Sequence, residues 1–229
     1  MKQFSQNMKL ADLIAVNHEL ILLLPRFGIE LGFGEKTVQQ ICDLYHVPVD
    51  FMLTVCNVYT FEDYSPDIEM LAGKDMSMLV PYLLASHRYY THERLPHIET
   101  HLHHIADRTV PKYGSILKQF YADFRKEISL HFEYEEQYCF PRLQRLQQGL
   151  HDEGNGVGTC DVESHGDLVD KLNDLTQIVY KYLPGNAMPE ETMELVFDIL
   201  QLSVDIQRHA MIEDKILTPY MEWLERSRE

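Results

Sequence analysis

One constellation is written twice in this chain: a histidine, a second histidine forty-four residues on, then Glu at +4 from it, an acid at +5 and Pro at +10. The first copy is His87, His131, Glu135, Glu136 and Pro141; the second is His165, His209, Glu213, Asp214 and Pro219. With twelve histidines in a chain of thirty-six acids, about one His-x-x-x-Glu pair is expected at random. Two occur, and both carry the same acid, proline and distant histidine. Four imidazoles and two carboxylates form a coordination shell for two metal ions. The mixed N/O set suits iron or manganese better than calcium or magnesium, and the absence of thiolate argues against structural zinc. Two histidines per metal with glutamates as bridges leave room for an oxo or hydroxo bridge and for an open position, hence for chemistry or small-ligand binding.

These residues must be positioned by helices. Strand signals are nearly absent and 3.6-residue periodicity recurs throughout, which predicts an all-α protein. Residues i and i+4 lie one turn apart on the same face, so each His–Glu pair can address a common point. The pairs also lie on apolar seams. Leu195, Ile199, Leu202 and Ile206 run into His209 and Glu213, then Ile216 and Tyr220. Leu117, Phe120, Phe124 and Ile128 run into His131 and Glu135; His165 heads Leu168, Leu172, Leu175 and Val179; His87 follows Val80 and Leu83. Exposed ion pairs belong on a solvated face, not on a seam. Burying two carboxylates uncompensated costs several kcal/mol each, which leaves an internal His/Glu hydrogen-bond network or a metal pair, and the six together favour the metal.

Four long helices are predicted: residues 74–106, with a kink at Pro96; 111–148, bent or broken at Pro141; 160–183; and 189–225. The glycine-rich stretch 149–158 and the turn Leu-Pro-Gly-Asn at 183–186 join them. Short connections predict an up-down-up-down four-helix bundle over 74–229. Residues 1–70 read as a separate small helical domain, with helices near 8–24, 36–45 and 48–58 and a linker at 62–67. Glu136 and Asp214 fall one position off the seam and suit roles in orienting the histidines or in facing solvent better than roles as ligands. His92, His97, His101, His103 and His104 could suggest a secondary metal patch, but they do not share the spacing of the repeat and read rather as a mainly solvated or mixed face.

A formal charge of -16 repels nucleic acid and anionic lipid. No apolar run approaches the ~20 residues of a membrane span, and the first residues lack a signal peptide's apolar segment, so the expected location is cytoplasmic. Cys42, Cys56, Cys139 and Cys160 form no CxxC and read as free, mostly buried thiols.

The stretch 77–225 resembles a hemerythrin-like cation-binding domain in its motifs HFEYEEQYCFP and HAMIEDKILTP. Its four-histidine, two-glutamate set is similar to that of the di-iron proteins that repair iron centres, rather than to oxygen-carrying hemerythrins with five histidines. That resemblance implies two non-haem iron ions, with His87, His131, His165 and His209 as terminal ligands and Glu135 and Glu213 as bridges. The segment PRFGIELGFGEKTVQQICD resembles the small domain preceding the bundle in that family, but Gly32-Phe33 stands before Gly34 where the family carries a Cys-Cys pair. The implied role is restoration of iron-sulfur clusters after nitrosative or oxidative damage, with oxygen, nitric oxide and damaged iron-sulfur proteins as partners. A binding or sensing protein without turnover, and a nitric oxide or peroxide reductase with an external electron donor, are the alternatives.

Overall fold

The computed structural model of the chain describes residues 3–150, 163–182 and 189–227. Among them the regular elements are helical, with one isolated bridge between Lys9 and Thr37. The fold is all-α: a helical bundle with a helical region ahead of it. By internal contacts the chain falls into two compact units, Met1–Ser86 with Arg142–Asn155 and Arg208–Glu229, and His87–Pro141 with Gly156–Gln207.

In the first unit, α1 (Leu10–Val16) is shorter than the predicted 8–24. The chain turns extended at Asn17, whose side chain accepts from the Glu19 N–H and starts a 3-10 turn, His18–Leu22. Asn competes for backbone groups in this way and favours caps over helix interiors. α2 (Val38–Tyr45) begins on a capping box in which Thr37 and Gln40 satisfy each other's backbone N–H groups. α3 (Val49–Thr60) buries Phe51, Met52, Val55, Val58 and Tyr59, and Phe51 packs edge-on against Phe27 and Tyr82. The expected linker is followed by one further turn, α4 (Ile68–Ala72), capped by the Asp67 side chain on the Met70 N–H; a helix of five residues is too short to leave a periodic trace.

The helix predicted from 74 starts at Leu79 as α5 (Leu79–Arg88) and continues through a π-helical segment, Tyr89–Arg94, into α6 (Leu95–Arg108). α7 (Pro111–Tyr134) opens on Pro111 and passes through a second π segment, Glu135–Cys139, into α8 (Phe140–Gln147). α8 ends in a Schellman-type turn, with Gly149 at φ 82° and the Leu150 N–H donating to the Arg145 carbonyl. The rest of the predicted glycine-rich loop, residues 151–158, and the turn at 183–186 lie outside the described residues. α9 (Glu163–Tyr182) and α10 (Pro189–Ile212) follow, and a third π segment, Glu213–Leu217, leads into α11 (Thr218–Arg226).

The core of the second unit is one cluster from α6, α7, α9 and α10, built on Leu102, Phe124, Leu172, Leu175, Ile199 and Ile206. Tyr121 takes the core place expected of Phe120, which is only partly buried; the seam there drifts by one residue, as straight helices do against a strict repeat. α6 and α7 approach closely at Gly114, where any Cβ would collide with the Ala106 carbonyl. That contact permits only glycine.

Candidate metal centre

The three π segments carry the local logic of the site. A proline inside a helix cannot donate to the carbonyl four residues back, and its ring collides with that carbonyl. Pro96, Pro141 and Pro219 each lie two residues past a π segment. In each case the residue before the proline donates five residues back: Leu95 to Tyr90, Phe140 to Glu135, Thr218 to Glu213. One residue is thereby accommodated, and the helical run continues past Pro96 and Pro141 through a widened turn. Glu135 and Glu213 open their π segments, and widened turns of this kind recur at functional sites.

In the first copy, both oxygens of Glu135 meet imidazole. Its Oε1 lies 2.9 Å from His131 Nε2 and its Oε2 lies 3.3 Å from His87 Nε2. His87 is 1% exposed and Glu135 6%. The other His87 nitrogen, Nδ1, lies 3.0 Å from Glu136 Oε1. This bond holds the Glu136 carboxyl below its ordinary range, and as an acceptor it directs the His87 Nδ1 proton outward, leaving Nε2 to face Glu135. The His87 ring also stacks on Phe132, with centroids 4.1 Å apart, and near Phe140 at 5.4 Å. Sequence reasoning passed over these aromatic walls; they follow His131 at +1 and +9, inside the same repeated motif.

The second copy places His209 Nε2 3.3 Å from Glu213 Oε1, with both side chains buried. Its neighbours are cationic. Arg208 reaches the Glu62 carboxylate at 3.5 Å, and Lys215 Nζ donates to the carbonyls of Glu62 and Tyr64. The segment expected to be a linker is thus tied to the turn that carries Glu213. Asp214 is exposed. His165 lies on the first turn of α9, and its side chain falls outside the described residues.

Each unit thus holds buried imidazole beside buried carboxylate, His87 with Glu135 in the second and His209 with Glu213 in the first. The four are buried, and buried carboxylates require a compensating charge. Buried imidazole and carboxylate groups of this kind could hold a metal ion, and a nitrogen and oxygen donor set without sulfur suits iron or manganese. A second, more exposed group comprises His97, His101 and Asp198.

The family model of the Hemerythrin HHE cation binding domain matches residues 79–221, more than half of the chain. No curated protein matches. No helix among the described residues is long and apolar enough to cross a membrane.

Proposed function

The chain belongs to the hemerythrin HHE cation-binding family, and from that premise we propose that it is a non-haem di-iron protein acting in the repair of iron-sulfur clusters after nitrosative or oxidative damage. In this reading the bundle of residues 74–229 holds two iron ions through His87, His131, Glu135, His165, His209 and Glu213, and residues 1–70 form a small helical domain ahead of it. Bound iron would supply redox chemistry and open positions for nitric oxide or oxygen, and it would be available for delivery to a damaged cluster. The protein's own residues hold the imidazoles by tautomer, as Glu136 does for His87, and exclude bulk water by burial. Nucleic acid and membranes are not among the proposed partners, and the proposed location is the cytoplasm.

The observation that carries this reading is the burial, in both copies of the motif, of imidazole beside a carboxylate carried on a π-widened turn. Metal analysis and visible absorption after iron-replete expression, before and after nitric oxide, test it. About two irons per chain are expected, falling steeply in Glu135→Ala and His209→Ala. Less than about one iron, unchanged by either substitution, would sink the di-iron reading.

A second reading, a binding or sensing protein without turnover, is favoured by the N-terminal region. Gly32, which stands at the first place of the iron-centre repair family's cysteine pair, adopts a φ of 92°, suited to glycine rather than to cysteine. The described thiols there, Cys42 and Cys56, are buried, and burial pushes both up to about 12. They stay protonated and unreactive at neutral pH. Reactivation of a nitric-oxide-damaged iron-sulfur enzyme separates the two: restoration supports repair, and reversible ligand binding without restoration supports sensing.

A further inference from the structure

We propose that the outer face of the second unit, where α6 meets α10, is a separate binding site for an exchangeable divalent d-block cation, held by His97, His101 and Asp198. The histidines are one turn apart on α6, the i, i+4 spacing that presents two imidazoles to a common point. Their rings lie 4.4 Å apart, tilted by 50°. Asp198 comes from α10, with Oδ2 3.1 Å from His97 Nε2 and 3.8 Å from His101 Nδ1. One donor atom from each of the three lies within 4.8 Å of the others.

The carboxylate is held in place for this role. Arg94 Nη2 donates to Asp198 Oδ1 at 3.0 Å and to Gln201 Oε1 at 3.1 Å. Its hold on Oδ1 leaves Oδ2 turned toward the histidines. Beside the site is a pocket lined by Thr100, His101, His104, Glu191 and Glu194, where His104 Nε2 lies 3.1 Å from Glu191 Oε2. Its acids attract a cation, and the chain's charge of -16 raises the local cation concentration generally.

Two imidazoles and one carboxylate select iron(II), zinc or cobalt(II) over calcium and magnesium, and three protein ligands leave positions open to water or to an incoming donor. His97 is 47% exposed and His101 36%, so the ion would exchange with solvent. This site does not depend on the di-iron reading, because none of its residues belongs to the duplicated motif. The bland role of the same residues is a polar tie between two helices, which would need no metal.

Calorimetric titration of the metal-loaded full chain with Zn2+, and with Co2+ followed by its visible bands, decides between them. One equivalent beyond the bundle's is expected in the unaltered protein. In His97→Ala and His101→Ala it should weaken by well over the roughly tenfold that loss of a mere supporting partner brings, while His103→Ala, on an exposed position of the same helix, should leave it unchanged. Absence of the extra equivalent, or its survival in a His97→Ala/His101→Ala variant, overturns the proposal. Both histidines are partly exposed, so these variants are expected to fold, and an unaltered helical circular dichroism spectrum checks that they do.

Discussion

The two copies of the His–Glu turn share a residue spacing and a widened backbone, yet their surroundings are put to different uses. Around Glu135 the neighbours act on imidazole: His131 and His87 face its two oxygens, Glu136 takes the far nitrogen of His87, and Phe132 and Phe140 lie against that ring. Around Glu213 the cations Arg208 and Lys215 reach outward to the segment at Glu62–Tyr64. A duplicated motif therefore specifies the His–Glu geometry, while the residues between and beside the pair decide whether a turn tunes its histidines or anchors another part of the chain.

The largest test of that comparison removes the carboxylates. If both are bridges, Glu135→Ala and Glu213→Ala should each lower iron from about two per chain to below about one, measured by metal analysis; retention of most iron in one variant alone would break the equivalence of the copies. Next come the prolines. Pro141→Ala and Pro219→Ala restore an N–H that favours an ordinary α turn, so iron affinity should fall about 10- to 100-fold while Tm stays level or rises; a lowered Tm with unchanged affinity would show that the π turns serve stability alone.

A smaller effect is expected of Glu136→Gln, at about tenfold in metal affinity. The Glu136 carboxyl is lowered in the folded chain from an ordinary value of 4.5. Its contribution to stability is therefore fully present above pH 4.5 and is lost as pH falls through the lower folded value. The Tm difference between the parent and Glu136→Gln should be constant near neutrality and shrink in acid, and it should be small because the side chain is 42% exposed. Smallest is Lys215→Ala, which removes two bonds to carbonyls in a partly exposed position. A loss of about 1 kcal/mol in denaturant unfolding is expected, with iron content untouched; a fall in iron would instead couple the Glu62–Tyr64 segment to the centre.

Much of this is legible in the sequence. The seam residues Leu195, Ile199, Leu202 and Ile206 lead to buried His209 and Glu213, because a 3.6-residue period and a one-sided core leave few options. Boundaries were less legible. The break at Asn17 depends on one side-chain hydrogen bond, and the five-residue helix at Ile68–Ala72 is shorter than a periodic signal. Thiol status also escaped a reading by spacing: Cys42 and Cys56 are free, but Cys139 enters a disulfide, since distance along the chain does not report proximity in space. Likewise His97 and His101 read as part of a mainly solvated or mixed face, because Asp198, which lies beside them, is far away along the chain. The π segments were hidden because proline in a helical pattern normally signals an end.

Those segments have a consequence for how the chain can vary. An extra residue in a helix is a defect that can slide, since each neighbouring turn can take it up in exchange for a hydrogen bond of similar strength. Each one-residue step would swing the side chains it passes by about 100°. A proline ring two residues downstream stops that travel, because a turn that carries it cannot close with the ordinary bond. Pro141 and Pro219 thus act as phase locks: they keep the defect on the turn that aims Glu135 and Glu213, and they hold α8 and α11 at a fixed rotation about their axes.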